Sequence, residues 1–551
     1  MLKRNYKNLV PILLSAALTA TTLVGCGSTD TSTAGSTTTP ESTASESAAV
    51  SSTVANSNGL PISSEPITLS IFLPSRQPDA LYTNDTLTFK ELEKRTNIKF
   101  DINTVVSSQV KDKFTIMMAS GNLPDIVYGT VENINKYGIQ GAFQDLDDLI
   151  EKNAPNIKKY LVDNSAVHAQ AAATDGKLYS VPMLSAIKTA MGYNIRQDWL
   201  DKLNLKAPGT IDEWHTVLKA FKEKDPNGNG KQDEVPLILD RAWENYYLNF
   251  ADAWKIDVDP NKDYWMYKDG KATFTAIQPE FKEFISTMGQ WYKEGLIDKE
   301  FATREDTNNY HMLNNLAGAT CYWTGYVAAQ NTNAEILAKE PKTNWQVIAP
   351  PVLKAGDEAK TYSQQLEVVP HSWAISSSNK HIDETIKLFD YVYGDEGSLL
   401  FNFGIADETY KMENGKPVYT DKVKKDKDGA TIFLRKNGIQ PLIGIRQMPE
   451  YESASCANDD TRKQLFDYVD NNRFFETAPK PSLTDAEKTL YDTKMVAIKT
   501  YVEEMLLKFM VGSEDPNQKW DEYVAKVKEL GIDDITGVMD KAYSRYYSIA
   551  K

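Results

Sequence analysis

Ile67-Thr68-Leu69-Ser70-Ile71-Phe72 alternates apolar and polar residues, the period of a strand with one buried face. Thr86 to Lys94 then has helical spacing, and Ile98 to Val105 reads as a second strand. Lys111 to Met118 predicts a helix stopped by Ser120-Gly121-Asn122, with Leu123-Pro124-Asp125-Ile126-Val127-Tyr128 as the next strand. Strands alternating with helices predict an α/β fold on a parallel sheet. Farther on, Tyr193-Asn194-Ile195-Arg196 leads into a helix at Asp198 to Leu203, and Thr210 with Glu213 three residues later has the form of a capping box. A chain of 551 residues suits two or more domains, because single cores stop growing near about 250 to 300 residues.

The N-terminal segment has a different character. Lys3, Arg4 and Lys7 precede an apolar run from Leu9, interrupted by Pro11 and ending in Leu23-Val24-Gly25-Cys26. A charged start, a short apolar stretch and small residues before a cleavage point mark a secretory signal, too brief for a membrane span of about 20 apolar residues. The tetrapeptide resembles a bacterial lipoprotein signal, which implies that residues 1–25 are removed and Cys26 carries the lipid. Residues 26–62, rich in Ser, Thr, Ala and Gly, bury too little apolar surface to order themselves and read as a tether. Such a tether reaches on the order of 30 Å, enough to clear a membrane surface. Losing three cations takes the formal charge from -15 to -18, which disfavours nucleic acid as a partner. Cys321 and Cys456 then remain, too few for a disulfide framework, and read as small apolar residues.

Several segments, taken in order, carry a wider resemblance. They are Ala119-Ser120-Gly121-Asn122-Leu123-Pro124-Asp125-Ile126, Asp175-Gly176-Lys177-Leu178-Tyr179-Ser180-Val181-Pro182 and Pro208-Gly209-Thr210-Ile211-Asp212-Glu213-Trp214. Phe389-Asp390-Tyr391-Val392-Tyr393-Gly394-Asp395-Glu396-Gly397, Trp520-Asp521-Glu522-Tyr523-Val524 and Ala542-Tyr543-Ser544-Arg545-Tyr546-Tyr547 continue it. Together they resemble the extracellular solute-binding lipoproteins of carbohydrate ABC importers, in the Gram-positive branch related to alginate-binding proteins. The resemblance implies a periplasmic-binding-protein-like fold, two α/β lobes joined by a hinge with a ligand cleft between them. Its expected divisions are a first lobe from 63–187 and 366–445 and a second from 188–365 and 446–551, with crossovers near Leu184 to Met191 and Ser363 to Pro370. The helices from Lys494 onward are expected to join the second lobe through an apolar face of Val496, Val502, Met505, Leu506 and Phe509.

Asp225-Pro226-Asn227-Gly228-Asn229-Gly230-Lys231-Gln232-Asp233-Glu234 places oxygen-bearing side chains at positions one, three, five and nine, with Gly at the sixth. That is the alternation by which a calcium loop turns several hard oxygens toward one point. Position twelve, a bidentate Glu in an EF-hand, is Pro236, so Glu234 must close the set. The alginate-binding resemblance implies the same shortened loop: Asp225, Asn227, Asn229, Asp233 and Glu234 by side chain and Lys231 by its carbonyl. Lying between a helix at Asp212 to Lys222 and a strand at Val235 to Leu239, the ion is expected to be structural.

Sugars offer apolar ring faces edged with hydroxyls, so their sites combine Trp or Tyr platforms with polar side chains. Trp199, Trp214, Trp291 and Trp520 fall in amphipathic helices and read as core. Residues just beyond strand ends are better candidates, because open α/β sheets bind ligands there. These are Tyr128, Arg241, Trp243, Trp323 and Tyr326, with Trp373 and Arg446 added. The five His residues are scattered, with neither H-E-x-x-H nor G-x-S-x-G, so no enzyme is expected. The reading is therefore a monomeric, non-enzymatic lipoprotein at the extracellular face of the cytoplasmic membrane. It captures an oligosaccharide and delivers it to the transmembrane subunits of an ABC permease. Two alternatives stay open: a calcium-stabilised polysaccharide adhesin, and a glycoside hydrolase, which needs only a suitably spaced pair of carboxylates.

Overall fold

The expected strand at Ile67 is the spine of one of two sheets. In the computed structural model residues 59–551 are described, apart from 187, 189–190, 240–245, 260–261, 304–306, 442–445 and 457. The signal segment, Cys26 and all but the last residues of the tether lie outside the described residues. The strands are β1 (Ile67–Ser75), β2 (Ile98–Val106), β3 (Ile126–Gly129), β4 (Val181–Leu184), β5 (Met191–Arg196), β6 (Val235–Ile238) and β7 (Trp265–Lys268). They continue with β8 (Lys271–Phe274), β9 (Ala317–Trp323), β10 (Trp345–Ile348), β11 (Val368–Ile375), β12 (Tyr410–Glu413) and β13 (Lys416–Tyr419).

The first sheet has the order β2-β1-β3-β11-β4, and the second β10-β5-β9-β6. β1 is parallel to β2 and β3, as the alternation of strands and helices predicts, but β11 is antiparallel to β3 and β4. The sheet is thus mixed rather than parallel. The reason is the path of the chain: it leaves the first sheet at the end of β4 and re-enters at the start of β11, beside it, so the two strands must run oppositely. Val368 pairs with Leu184 at that junction.

Each sheet carries its own core. Leu69, Ile71, Phe89, Ile126, Phe389 and Trp373 belong to the first, and Tyr193, Trp199, Trp214, Phe221, Leu237 and Trp291 to the second. The helical tryptophans are packed as expected: Trp214 is wholly buried and meets Phe250 edge to face at 5.1 Å, a geometry favoured by the aromatic quadrupole. The capping box at Thr210 forms in full and starts the helix Ile211–Glu223.

The chain passes between the lobes a third time after Gln447, whose N–H donates to the Leu184 carbonyl at 2.8 Å. Helix Pro449–Ser455 still packs on the first-lobe side, through Tyr451 and Ala454 against Phe403, Tyr410 and Tyr419. The return to the second lobe therefore comes with helix Asp459–Asp470, later than 446. There Tyr468 accepts from the Tyr193 N–H at 3.0 Å and donates to the Ile348 carbonyl at 2.7 Å. Helix Asp485–Val511 then lies across helix Pro279–Lys293, so close that a Cβ on Gly289 would meet the Phe509 carbonyl at 2.8 Å. Val502, Met505, Leu506 and Phe509 are buried, but Val496 is 69% exposed. At about 100° per residue, Val496 points away from the arc the other four occupy.

Candidate functional site

The crossovers border a cleft of about 760 Å³, walled by residues of both sheets. On the first-lobe side, Arg76 follows the last residue of β1. Beside it the β11 register slips between Val369 and Ser372, leaving Pro370 and His371 as a bulge in the cleft wall. Pro370 has no N–H to give to a ladder, which makes it a natural bulge residue. His371 stacks on Tyr128 with ring centroids 5.7 Å apart, and its Nδ1 lies 2.5 Å from the Tyr128 hydroxyl. Burial, with the charge of Arg76 adding to it, pushes His371 down to about 4, so the ring is neutral at physiological pH.

On the second-lobe side, Trp323 ends β9 and Tyr326 sits in the first turn of helix Thr324–Ala329. Both line the cleft, and at 36% and 37% exposed they are among the few large aromatic side chains left open to solvent. Tyr362 lines the same cleft and stacks on Phe475 at 4.5 Å. Behind it Asp252 accepts from the Tyr362 N–H at 2.9 Å and from the Tyr193 hydroxyl at 3.0 Å. Burial pushes its carboxyl up to about 7, hydrogen bonds from Thr361, Tyr362 and Tyr193 opposing the rise. Asn249, Gln364 and Gln365 supply amide edges. The arrangement offers flat apolar faces beside amide and carboxylate hydrogen-bonding groups.

The structure brings Trp323 and Tyr326 together in the cleft. Tyr128 lies beneath it, 5% exposed, and is hydrogen-bonded to His371 rather than lining the wall itself. Trp373 does not reach the cleft: it is 1% exposed and packs on Phe389 and Phe401 of the helical layer behind the sheet. Arg446 is also turned away, donating to Asp395 at 2.6 Å and to the Tyr393 carbonyl at 3.1 Å, with its guanidinium 4.3 Å from the Tyr160 ring centre. Arg241 and Trp243 lie outside the described residues. Arg76, His371, Asp252 and Tyr362 were not among the sequence candidates. The strand-end rule applied to β1 would have found Arg76, whereas the bulge that exposes His371 has no local signature beyond Pro370.

Away from the cleft, the Asp225–Glu234 loop joins helix Ile211–Glu223 to β6. Asp225 (φ 45°), Gly228 (φ 74°) and Gly230 (φ 76°) take the left-handed conformation and curl the backbone around the Asp225 carboxylate. That carboxylate accepts from the N–H groups of Gly228 at 2.8 Å, Gly230 at 3.0 Å and Asn229 at 3.1 Å. Desolvation works to raise its pKa, but these donors outweigh it and hold it below the ordinary value. The Asn227 and Asn229 amides both donate to Asp233, at 3.1 and 2.9 Å. Glu234 is 9% exposed and neither carboxylate oxygen has a well-formed hydrogen bond. Burial raises its pKa, the backbone N–H groups of Glu234 and Asn227 oppose the rise, and the charges of Asp225 and Asp233 add to it. A buried carboxylate short of well-formed hydrogen bonds is the kind of group that a hard cation would satisfy. Among the described residues no set of three His, Cys, Asp or Glu is gathered in metal-holding geometry, so any ion here depends on amide and backbone oxygens as well. Cys321 and Cys456 are both free thiols.

Comparison with known proteins places this architecture. Residues 83–398 match the family model of the bacterial extracellular solute-binding proteins. The fructooligosaccharide ABC transporter substrate-binding protein FusA of Streptococcus pneumoniae is 26% identical, over 84% of this chain and 87% of its own. The polygalacturonan/rhamnogalacturonan-binding protein YtcQ of Bacillus subtilis is likewise 26% identical, over 83% of this chain and 88% of its own. The crystal structure of the alginate-binding protein AlgQ2 without calcium ion superposes with a TM-score of 0.68 and 30% identity, covering 88% of this chain and 99% of that one. The chain belongs to the bacterial extracellular solute-binding protein family.

Proposed function

We propose that this protein captures an extracellular oligosaccharide in the cleft and hands it intact to the permease of an ABC importer. The observation that carries the reading is the cleft itself, open between two sheets that three adjacent crossovers connect, with the Trp323 and Tyr326 rings presented beside amide edges. Ring faces stack on such platforms, and hydroxyls bond to such edges. The sugar ligands named for FusA and YtcQ support the same class. Closure of the lobes about the crossovers would bury the ligand and present a changed surface to the permease.

Two further parts belong to this reading. A structural calcium held by Asp225, Asn227, Asn229, Asp233, Glu234 and the Lys231 carbonyl would give the Glu234 oxygens their partner and pin the helix-to-strand connection. A lipid on Cys26 would keep the protein, as a monomer, at the outer face of the cytoplasmic membrane. The test is calorimetry of the purified chain against an oligosaccharide panel, with scattering to follow compaction and chromatography of the recovered sugar. Reversible binding with compaction and intact sugar is expected. Cleaved product would move the assignment to a hydrolase, and binding without compaction to an adhesin.

A further inference from the structure

One stretch of the cleft wall is held by a backbone conformation that its own residues disfavour. Asp257, Val258 and Asp259 line the cleft on the second-lobe side, between the helical turns Tyr246–Trp254 and β7. Just past them Asp263 (φ 52°) and Tyr264 (φ 66°) are left-handed in succession, a conformation in which Cβ crowds the backbone. Such a pair persists only where the surroundings over-determine it.

Those surroundings are polar and buried. The Asp259 carbonyl accepts from the N–H groups of Lys262 at 3.0 Å and Tyr264 at 3.4 Å, which folds the chain back on itself. The Asp257 carboxylate accepts from the Asp259 N–H at 3.1 Å through one oxygen, and from Lys262 at 2.6 Å and the Thr477 hydroxyl at 2.8 Å through the other. Lys262 also donates to the Thr477 hydroxyl at 2.6 Å, closing a ring of three side chains. Both partners of its ion pair are buried. Asp263 accepts from Lys480 at 2.6 Å, from the Tyr491 hydroxyl at 2.8 Å and from Lys499. Lys262 and Thr477 stand behind the wall, outside the described residues that line the cleft. A buried ion pair is weak support for stability, since apolar residues of like volume serve as well; what it can add is a single arrangement of the backbone it holds. A wall fixed before the ligand arrives removes the ordering cost that a loose wall adds to binding.

We propose that Lys262 and Thr477 are positioning residues for ligand capture: acting on Asp257, they hold Val258 and Asp259 in the shape that meets the sugar. The inference rests on the oligosaccharide reading of the cleft and adds to it two residues that do not touch the ligand.

The full chain and its variants are titrated by calorimetry with kestose, maltotriose and trigalacturonate. Hydrogen exchange of the ligand-free proteins is followed in peptides covering residues 255–264, with β6 as the control. Lys262→Met and Thr477→Val should each weaken binding of whichever sugar the wild type takes by about tenfold. Each should also speed exchange at residues 255–264 by about tenfold and leave β6 unchanged. Thr477→Ser, which keeps the hydroxyl, should behave as wild type. Thr477→Val conserves shape, so it decides the matter if Lys262→Met leaves Asp257 unpaired and does not fold. Folded variants with wild-type exchange would overturn the positioning role, as would a Thr477→Ser variant as impaired as Thr477→Val. Faster exchange with unchanged affinity would show that this stretch does not meet the sugar, and the inference fails while oligosaccharide capture stands. If no sugar binds the wild type, both readings fail together.

Discussion

Trp323→Ala is the most direct test of the cleft. The side chain ends β9 and is 36% exposed. Taking up to about 250 Å² for a tryptophan, that leaves roughly 90 Å² for a sugar face to cover at 36% exposure. At ~25 cal/mol per Å² the covered area contributes about 2 kcal/mol, or about thirtyfold in Kd. The figure is an upper bound for complete coverage. Since the same surface faces solvent in the ligand-free protein, its removal should cost little stability, and the melting temperature should stay within a few degrees of wild type. Calorimetry with the tightest-binding oligosaccharide gives the affinities, and melts of both proteins without ligand give the control. An unchanged Kd in a folded variant would show that Trp323 is not a platform and that the ligand lies against other residues of the cleft.

Asp225→Ala with Asp233→Ala should abolish calcium-dependent stabilisation, which amounts to about 2.7 kcal/mol at a hundredfold excess over Kd; identical wild-type melts with calcium and with chelator would contradict a structural ion. Asp252 has its carboxyl raised from 3.8 to about 7 by burial, so its neutral form is the one the fold prefers. Its contribution is full below about pH 4 and is lost as pH rises through about 7, falling by at most ~1.4 kcal/mol for each tenfold drop in proton concentration. Asp252→Asn should flatten the fall in melting temperature between pH 4 and 7, and an unaltered profile would remove Asp252 from that role. Cys26→Ala should abolish membrane association in fractionated cells, and persistent detergent-phase partitioning would count against a lipid anchor.

Much of this molecule was legible in the chain because the signals were local. The Thr210–Glu213 capping box needs only residues three apart, and it forms as the spacing predicts. The burial of Trp199, Trp214, Trp291 and Trp520 follows from one face of one helix. The strand-end rule found Trp323 and Tyr326 because a residue just past a strand is exposed at the sheet's edge whatever packs elsewhere. The same rule carried Tyr128 only to a place beneath the cleft, since His371 from a neighbouring strand covers it.

What the chain could not declare was decided by distant partners. The antiparallel sense of β11 depends on where the chain comes back from the second lobe, long after β4 has ended. Trp373 alternates correctly for a strand, but only the placement of Phe389 and Phe401 decides which face of that strand is core. Val496 belongs to the long C-terminal helix yet faces solvent, because the packing arc is set by helix Pro279–Lys293 and not by the helix alone. Asp252 and Tyr362, far apart along the chain, become neighbours in the cleft wall only when folding brings them together. Capping, turn and periodic burial are interactions within a few residues and so are written along the chain; the balance of charge in a cleft sums over residues that only folding brings together.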